Sequence, residues 1–377
     1  MGVEAPFGLD PHFLFAGPNM AAARHIYDSL INRDELRLRR GVTFHDGAPF
    51  TADDVTFSIA RVPNIPNNPG PYTSNLRTIA RVEVVDAHTV RLHTDRVNPV
   101  RPGQLTNIFV VSKRAAAGAS TADFASGRAA MGTGPFRLEQ TRGSEGMTVL
   151  RNDAFWGEKA AYARVTLRVT GNDASRLGAL ISGDVDLIES VPPPDVVRLQ
   201  RDARISVFRR KSDRIMYMLP NIRLDRFPLI TDAAGQPLPR NPLRDLRVRQ
   251  ALSIAIDRAA LVARALDGQG VPAVQMVAEQ FGGYDAVHMR VPALAFGQGN
   301  RGGFSDARLD GLIAGVIGLA GERREAVLPE VARESLAQLP FIPLYNQVVV
   351  VVARRGADYM PRMDEQMVAY HARPAAR

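Results

Sequence analysis

Apolar and polar positions alternate over residues 36–44, where Leu36, Leu38, Val42 and Phe44 share one side, and this period of two predicts a strand with one buried face. His45-Asp46-Gly47 ends it, because Gly47 takes positive φ freely and Asp46 can bond its own downstream backbone. Thr51 then stands as an N-cap before Asp53 and Asp54, and Val55, Phe57 and Ile59 supply the apolar side of a helix. Upstream, an extended loop runs into a helix in which Ala22, Ile26, Leu30 and Ile31 share a face. Residues 63–71, rich in Pro, Asn and Gly, read as loop, and residues 79–94 alternate about a turn at Asp86-Ala87-His88 as a hairpin. Two further strands are expected at residues 136–140 and 148–151.

Beyond residue 173 the pattern shifts to helix, strand, helix. Leu177, Leu180 and Ile181 line one face, Gly183 stops the helix, and residues 185–191 form a buried strand before the break at Pro192-Pro193-Pro194. Val248, Leu252, Ala255 and Ile256 predict another apolar helix stripe, with Arg247, Arg249 and Arg258 toward polar sides, solvated or paired structurally. Residues 348–353 are an apolar strip of strand length, and Asp306 stands where it can cap a helix at residues 309–317. Such alternation predicts an α/β chain, a twisted sheet flanked by helices, and excludes an all-helical or all-β one.

Composition narrows the function classes. At 377 residues, 45% of them hydrophobic and 23% charged, the chain has the make-up of a globular protein with room for two or three lobes. No run of about 18 apolar residues is present, so no helical membrane span is expected. The opening MGVEAPFGLDPHF lacks a charged segment followed by an apolar one, so no signal peptide is expected in this sequence, and an exported protein would be a mature or trimmed form. Without cysteine there is no disulfide, thiol nucleophile or thiolate metal site. The formal charge of +8 invites a nucleic-acid reading, but the arginines are dispersed and do not alternate with aromatics, so solvated faces are expected and nucleic acid is not.

Candidate chemistry is sparse. His45 and Asp46 point apart at a strand end and have no third ligand near them in sequence, so neither a metal nor an acid-base pair is expected. His45, His88 and His93 read as surface or turn residues, and Trp156 as core packing. The glycine-rich turn at residues 131–136 has neither dinucleotide nor P-loop spacing. There is no G-x-S-x-G and no H-E-x-x-H, so no catalytic residue, metal or cofactor is assigned and the chain is not expected to be an enzyme, a hydrolase being the weaker alternative.

Gly41 to Ser58, G-V-T-F-H-D-G-A-P-F-T-A-D-D-V-T-F-S, resembles the signature of the family 5 extracytoplasmic solute-binding proteins, the dipeptide and oligopeptide receptors of ABC importers. The same family is resembled by Ile26-Tyr27-Asp28 with Leu30, by V-E-V-V-D at residues 82–86, by Gly132-Thr133-Gly134-Pro135-Phe136 and by the Asn152 to Trp156 step. Further matches are G-D-V-D-L-I at residues 183–188, the R-V-R-Q-A-L helix at residues 247–252, and L-P-F-I-P-L-Y at residues 339–345. The resemblance implies a two-lobed periplasmic-binding-protein-like fold of the type II peptide-receptor class. Lobe I would comprise 1–34, 132–222 and 338–377, a small inserted subdomain 35–131, and a shortened lobe II 223–337.

It also implies a monomeric extracytoplasmic or periplasmic protein without a cofactor, which captures a small peptide or similar solute and delivers it to the membrane permease of an ABC transporter. Hinges are expected near residues 221–224 and 338–341. Ligand contacts carried over by position are Phe13, Phe15 and Asn19 in the N-terminal loop, Tyr217 and Asn221 near the crossing, and Tyr284, Asp285, His288 and Arg290 in lobe II, with core packing an equal reading for Phe13 and Phe15. The pattern departs from the family in two places. Arg33-Asp34-Glu35 joins directly to Leu36, so a strand or two is missing, and the Trp and Asp that follow Tyr284-Asp285-Ala286 in peptide-binding members are absent, Val291 standing where the Trp would be. A truncated or degenerate receptor without ligand binding is therefore the alternative.

Overall fold

The computed structural model describes residues 1–28, 37–95, 98, 101–273, 304–317, 319 and 321–376. The chain divides into unit 1, Met1–Arg96, Val100–Arg210 and Val349–Arg377, and unit 2, Val97–Pro99 and Lys211–Val348. Unit 1 is organised by strands β1 (Gly2–Val3), β4 (Phe136–Thr141), β5 (Gly146–Arg151), β6 (Arg164–Val169) and β7 (Leu187–Glu189), with β2 (Ile79–Asp86) and β3 (Thr89–Thr94) forming a separate antiparallel hairpin. The strands β8 (Ile205–Met218) and β10 (Ile342–Arg354) carry the chain from one unit to the other, and β9 (Gly270–Pro272) pairs with β10.

The sheet order is β4-β5-β6-β1-β7-β10-β8. β1 runs parallel to both β6 and β7, while β10 meets β7 antiparallel with Val352 opposite Ile188. Burial explains the pairing: in β6 Val165 and Leu167 are buried while Arg164, Thr166 and Arg168 are exposed, and the apolar strip predicted near the C-terminus buries Val350 to Ala353 within β10. Helix Asp173–Ser182 buries Leu177 and Leu180 and ends on Gly183 at φ 91°, the left-handed stop read from the sequence.

Helix Ala52–Arg61 begins as expected, with Thr51 and Asp54 forming a reciprocal capping box and Val55 and Ile59 buried. The strand expected before it is not formed as one. Arg37 bridges Thr89 and Thr43 bridges Pro49, but a turn at Arg40-Gly41, with Gly41 at φ 75°, interrupts the pairing between them. Gly41, in the left-handed region, turns the chain where the apolar alternation predicted one continuous strand.

Helix Gly17–Ile26 ends against the glycine turn. Ile26 O accepts from Gly134 N at 3.0 Å, and His45 N donates to Gly132 O at 3.0 Å. His45 Nε2 donates to Gly134 O at 3.2 Å, as does Asn152 Nδ2 at 3.0 Å. Asp28 Oδ2 accepts from Thr133 Oγ1 at 2.9 Å and Trp156 Nε1 at 2.8 Å. His45 stands in the turn as expected, half-buried with its ring bonded to Gly134, and burial holds its imidazole down at about 4. Trp156 corrects the core expectation: 36% exposed, it clamps Asp28 with its N–H while the Arg39 guanidinium lies 4.4 Å from its ring centroid.

The close approach leaves no room for a side chain at the turn. A Cβ on Gly132 would lie 2.0 Å from Ile26 O, whereas one on Gly103 would meet nothing within 4 Å. Gly132→Ala is therefore expected to cost about 3 kcal/mol or more in urea unfolding, while Gly103→Ala, in a helix with open space, should be neutral or slightly stabilising.

Candidate functional site

The N-terminal loop of unit 1 is fixed by a buried charge. Asp10 receives Arg61 Nη1 on Oδ1 at 2.8 Å and Arg61 Nη2 on Oδ2 at 2.7 Å, and it also accepts from Thr121 Oγ1 and from His12 N. Burial pushes the Asp10 carboxyl up, but the bonds and charge of Arg61 outweigh it and the net direction is down. Arg61 also donates to His12 Nδ1, and His12 Nε2 donates to Phe109 O, so His12 is neutral, held at about 4 by burial and then by the Arg61 charge.

Backbone bonds then present the loop tip. Phe15 N donates to Gly70 O at 2.8 Å, Asn68 Nδ2 to His12 O at 2.9 Å, and the Tyr72 hydroxyl to Leu14 O at 3.3 Å. Phe15 remains 41% exposed with its ring 4.8 Å from that of buried Tyr72, while Phe13 is half-buried. Asn19 is buried and its Oδ1 accepts from Gly8 N, which makes it a brace of the loop.

A second polar group gathers at the trailing ends of β1, β6 and β7, the edge at which open α/β sheets hold ligands. Arg176, 1% exposed, donates to the carbonyls of Thr170, Glu189 and Ser190 and to Asp173 Oδ1. Glu189 Oε1 accepts from Glu4 N at 3.0 Å, and Ser190, at φ 54°, donates to Glu4 Oε2. Burial, with a further push from the Glu4 charge, raises the Glu189 carboxyl to about 7 against the pull of its backbone bond. Among the described residues no three His, Cys, Asp or Glu side chains converge as metal ligands. Along β6 a cavity of about 1400 Å³ opens among Arg164, Arg168, Asp186 and Arg354.

In unit 2, Tyr217 is 43% exposed and meets Phe341 edge to face at 5.2 Å. Asn221 is half-buried, its Oδ1 accepting from Arg223 N and its carbonyl from Asn241 Nδ2. Tyr284, Asp285, His288 and Arg290 lie outside the described residues. Asp306 caps helix Ala307–Ile317 through Leu309 N at 2.9 Å, as its position suggested. Helix Leu246–Ala255 departs from expectation: Val248 and Leu252 are only half-buried, Ala255 is exposed, and the buried residue is Arg249, which donates to the carbonyls of Leu243, Arg244 and Gln338. A guanidinium holding loop carbonyls replaces an apolar stripe there.

Sequence reasoning singled out Phe13, Phe15 and Asn19 in this loop and did not single out Tyr72, Arg176 or Glu189, which the structure brings into these two groups. The signal for Glu189 was present, an acid directly following the buried pair Leu187-Ile188.

The family described as bacterial extracellular solute-binding proteins, family 5 (middle region), matches residues 34–295. The chain is 25% identical over 270 residues to the dipeptide-binding protein of Escherichia coli K12, covering 66% of this chain and 48% of that protein. It is 24% identical over 319 residues to heme-binding protein A of Haemophilus influenzae, covering 72% and 54%. It therefore spans about half the length of these curated relatives. The crystal structure of a dipeptide-binding protein from Pseudoalteromonas sp. SM9913 in complex with Met-Leu superposes with a TM-score of 0.78 at 16% identity, covering 100% of each chain. The fold is that of the two-lobed solute receptors, mixed α/β as expected.

Two outcomes follow from the site's charges. Glu189 sits at about 7, above its ordinary 4.5, so the stability of its protonated form is full below about pH 4.5 and lost as pH rises through 7. Glu189→Gln should raise unfolding stability by about 2 kcal/mol at pH 8 and change it little at pH 4, read from urea midpoints. Asp10→Asn leaves the Arg61 cation without its counter-charge and should cost about 3 kcal/mol at pH 7.

Proposed function

The chain belongs to family 5 of the bacterial extracellular solute-binding proteins, and on that premise we propose that it is a receptor that captures a peptide or similar small solute outside the cytoplasm and passes it to the permease of an ABC importer. The observation that carries this reading is the family match over residues 34–295 together with a fold likeness to a Met-Leu complex that spans the chain. The exposed Phe15 over Tyr72 and the acidic edge at Glu4 and Glu189 are surfaces of unit 1 suited to a small amphipathic solute. Binding, not catalysis, is the activity, and capture proceeds by hinge closure, with hinges near residues 221–224 and 338–341 as the family resemblance implies, while the chain itself passes between units at Arg210–Lys211 and Val348–Val349. The relatives carry different ligands, a dipeptide and heme among them by name, so the class of solute is decided by this chain's own residues.

A degenerate receptor that binds nothing is favoured by one observation. In unit 2 Ile254 is 83% and Leu229 81% exposed, and helix Leu246–Ala255 buries little apolar surface. Thermal unfolding against a library of di- to hexapeptides separates the two readings. A ligand-linked rise in a cooperative midpoint is expected for a receptor; a broad melt that no peptide shifts supports the degenerate form and contradicts capture.

A further inference from the structure

The cavity along β6 lies wholly within unit 1, and none of Phe15, Tyr72, Glu4 and Glu189, the residues argued above for solute capture, lines it. Its floor is the exposed side of β6, where Arg164, Thr166 and Arg168 alternate with the buried Val165 and Leu167. Arg142 from the β4–β5 turn, and Arg354 and Arg355 where β10 ends, bring three more guanidinium groups, against three lining acids.

Most of these charges are already engaged. Arg164 Nη2 lies 2.8 Å from Glu139 Oε2, Arg355 Nη1 donates to Ala203 O, Arg354 stands 4.0 Å from Asp186, and Asp184 accepts from Ser182 Oγ. Arg142 and Arg168 differ: neither guanidinium has a hydrogen-bond or ion-pair partner among the described residues. Glu145 is the one lining acid in the same condition, so two free cations face one free carboxylate.

Strand register brings the two free cations together. Arg142 N donates to Gly146 O at 2.9 Å, and Gly146 stands opposite Arg168 across the β5–β6 ladder. The two arginine backbones therefore flank a glycine, about 10 Å apart at the usual strand spacing. On its other side Arg168 pairs with Gly2 of β1, so neither neighbouring strand sets a side chain directly beside it. The middle glycine is obligatory, because Gly146 has φ 136° and a Cβ there would lie 2.0 Å from Leu167 O.

Two planar forks lining one cavity from either side of a glycine call for an anion with oxygens on more than one side. A carboxylate offers a single edge of two oxygens, whereas a tetrahedral phosphoryl group accepts a fork on each of two edges. The cavity, at about 1400 Å³, also has room for the rest of the molecule that carries the group.

We propose that this cavity is an anion site separate from solute capture, in which Arg142 and Arg168 hold a phosphoryl group between them. The group belongs to a dissolved phosphorylated molecule or to a phospholipid headgroup. The inference goes beyond the receptor reading and stands whether or not the captured solute is a peptide.

Isothermal titration of the full chain with inorganic pyrophosphate, and flotation with vesicles of phosphatidylglycerol in phosphatidylcholine, test it at fixed ionic strength. Arg142→Gln and Arg168→Gln should each weaken binding about tenfold or more, and citrate, of similar charge but without phosphorus, should bind the unmodified protein about tenfold more weakly than pyrophosphate. Arg168→Lys should fall between, and Arg91→Gln, which removes an equal charge outside the cavity, should bind as the unmodified protein does. Pyrophosphate binding without flotation assigns a dissolved ligand, and flotation that Arg168→Gln abolishes assigns the headgroup. Binding of neither probe overturns the inference, as do citrate binding as tight as pyrophosphate, full affinity in both glutamine variants, or an equal loss in Arg91→Gln, which would reduce the effect to net charge. Both cavity arginines are exposed, so both variants are expected to fold with an unchanged thermal midpoint, and should one fail the other decides.

Discussion

Unit 1 is assembled around the carbonyl of Ile26 and the two glycines pressed against it. That carbonyl takes the Gly134 N–H, and the space beside it is so small that a methyl group on Gly132 would overlap it. The glycine turn in turn accepts from the His45 backbone and ring and from Asn152, so four separated stretches of chain are joined through main-chain atoms. Buried backbone groups have to find partners, and here they find them across long sequence distances. Asp28 adds a charged anchor next to the joint: burial raises its carboxyl to about 6, and the Trp156 and Thr133 donors lower it only in part.

This joint accounts for a division of labour along the chain. The residues that make the family recognisable, from the His-Asp-Gly turn to the Gly-Thr-Gly-Pro turn and the Asn152 step, are occupied with one another. The loop from Asp10 to Asn19, by contrast, is pinned from below by Arg61 on Asp10 and leaves Phe15 outward. A fixed base with an exposed aromatic tip suits recognition, since a ligand then meets a surface already ordered.

The sequence disclosed those parts of the fold that depend on local chemistry. Thr51 with Asp54, Gly183 after its helix, and the 79–94 hairpin all behave as their residues require, because caps, left-handed stops and turns are settled within a few positions. It misled where distant partners decide. Trp156 looked like core but stands 36% exposed with its N–H on Asp28, and the apolar stripe of the 246–255 helix gave way to Arg249. Of the proposed ligand contacts, Phe15 was named from its place in the loop, and the structure leaves it exposed.

Residue-resolved hydrogen exchange on the native protein tests the joint most directly. The amides of Gly134, His45 and Asn152 should exchange only through global unfolding, with the same free energy as the β5–β6 ladder of the core sheet. Exchange of these three amides through a local opening, well before the ladder, would contradict the account and show that the glycine turn is fastened to unit 1 after the fold is made, not the constraint on which it is built.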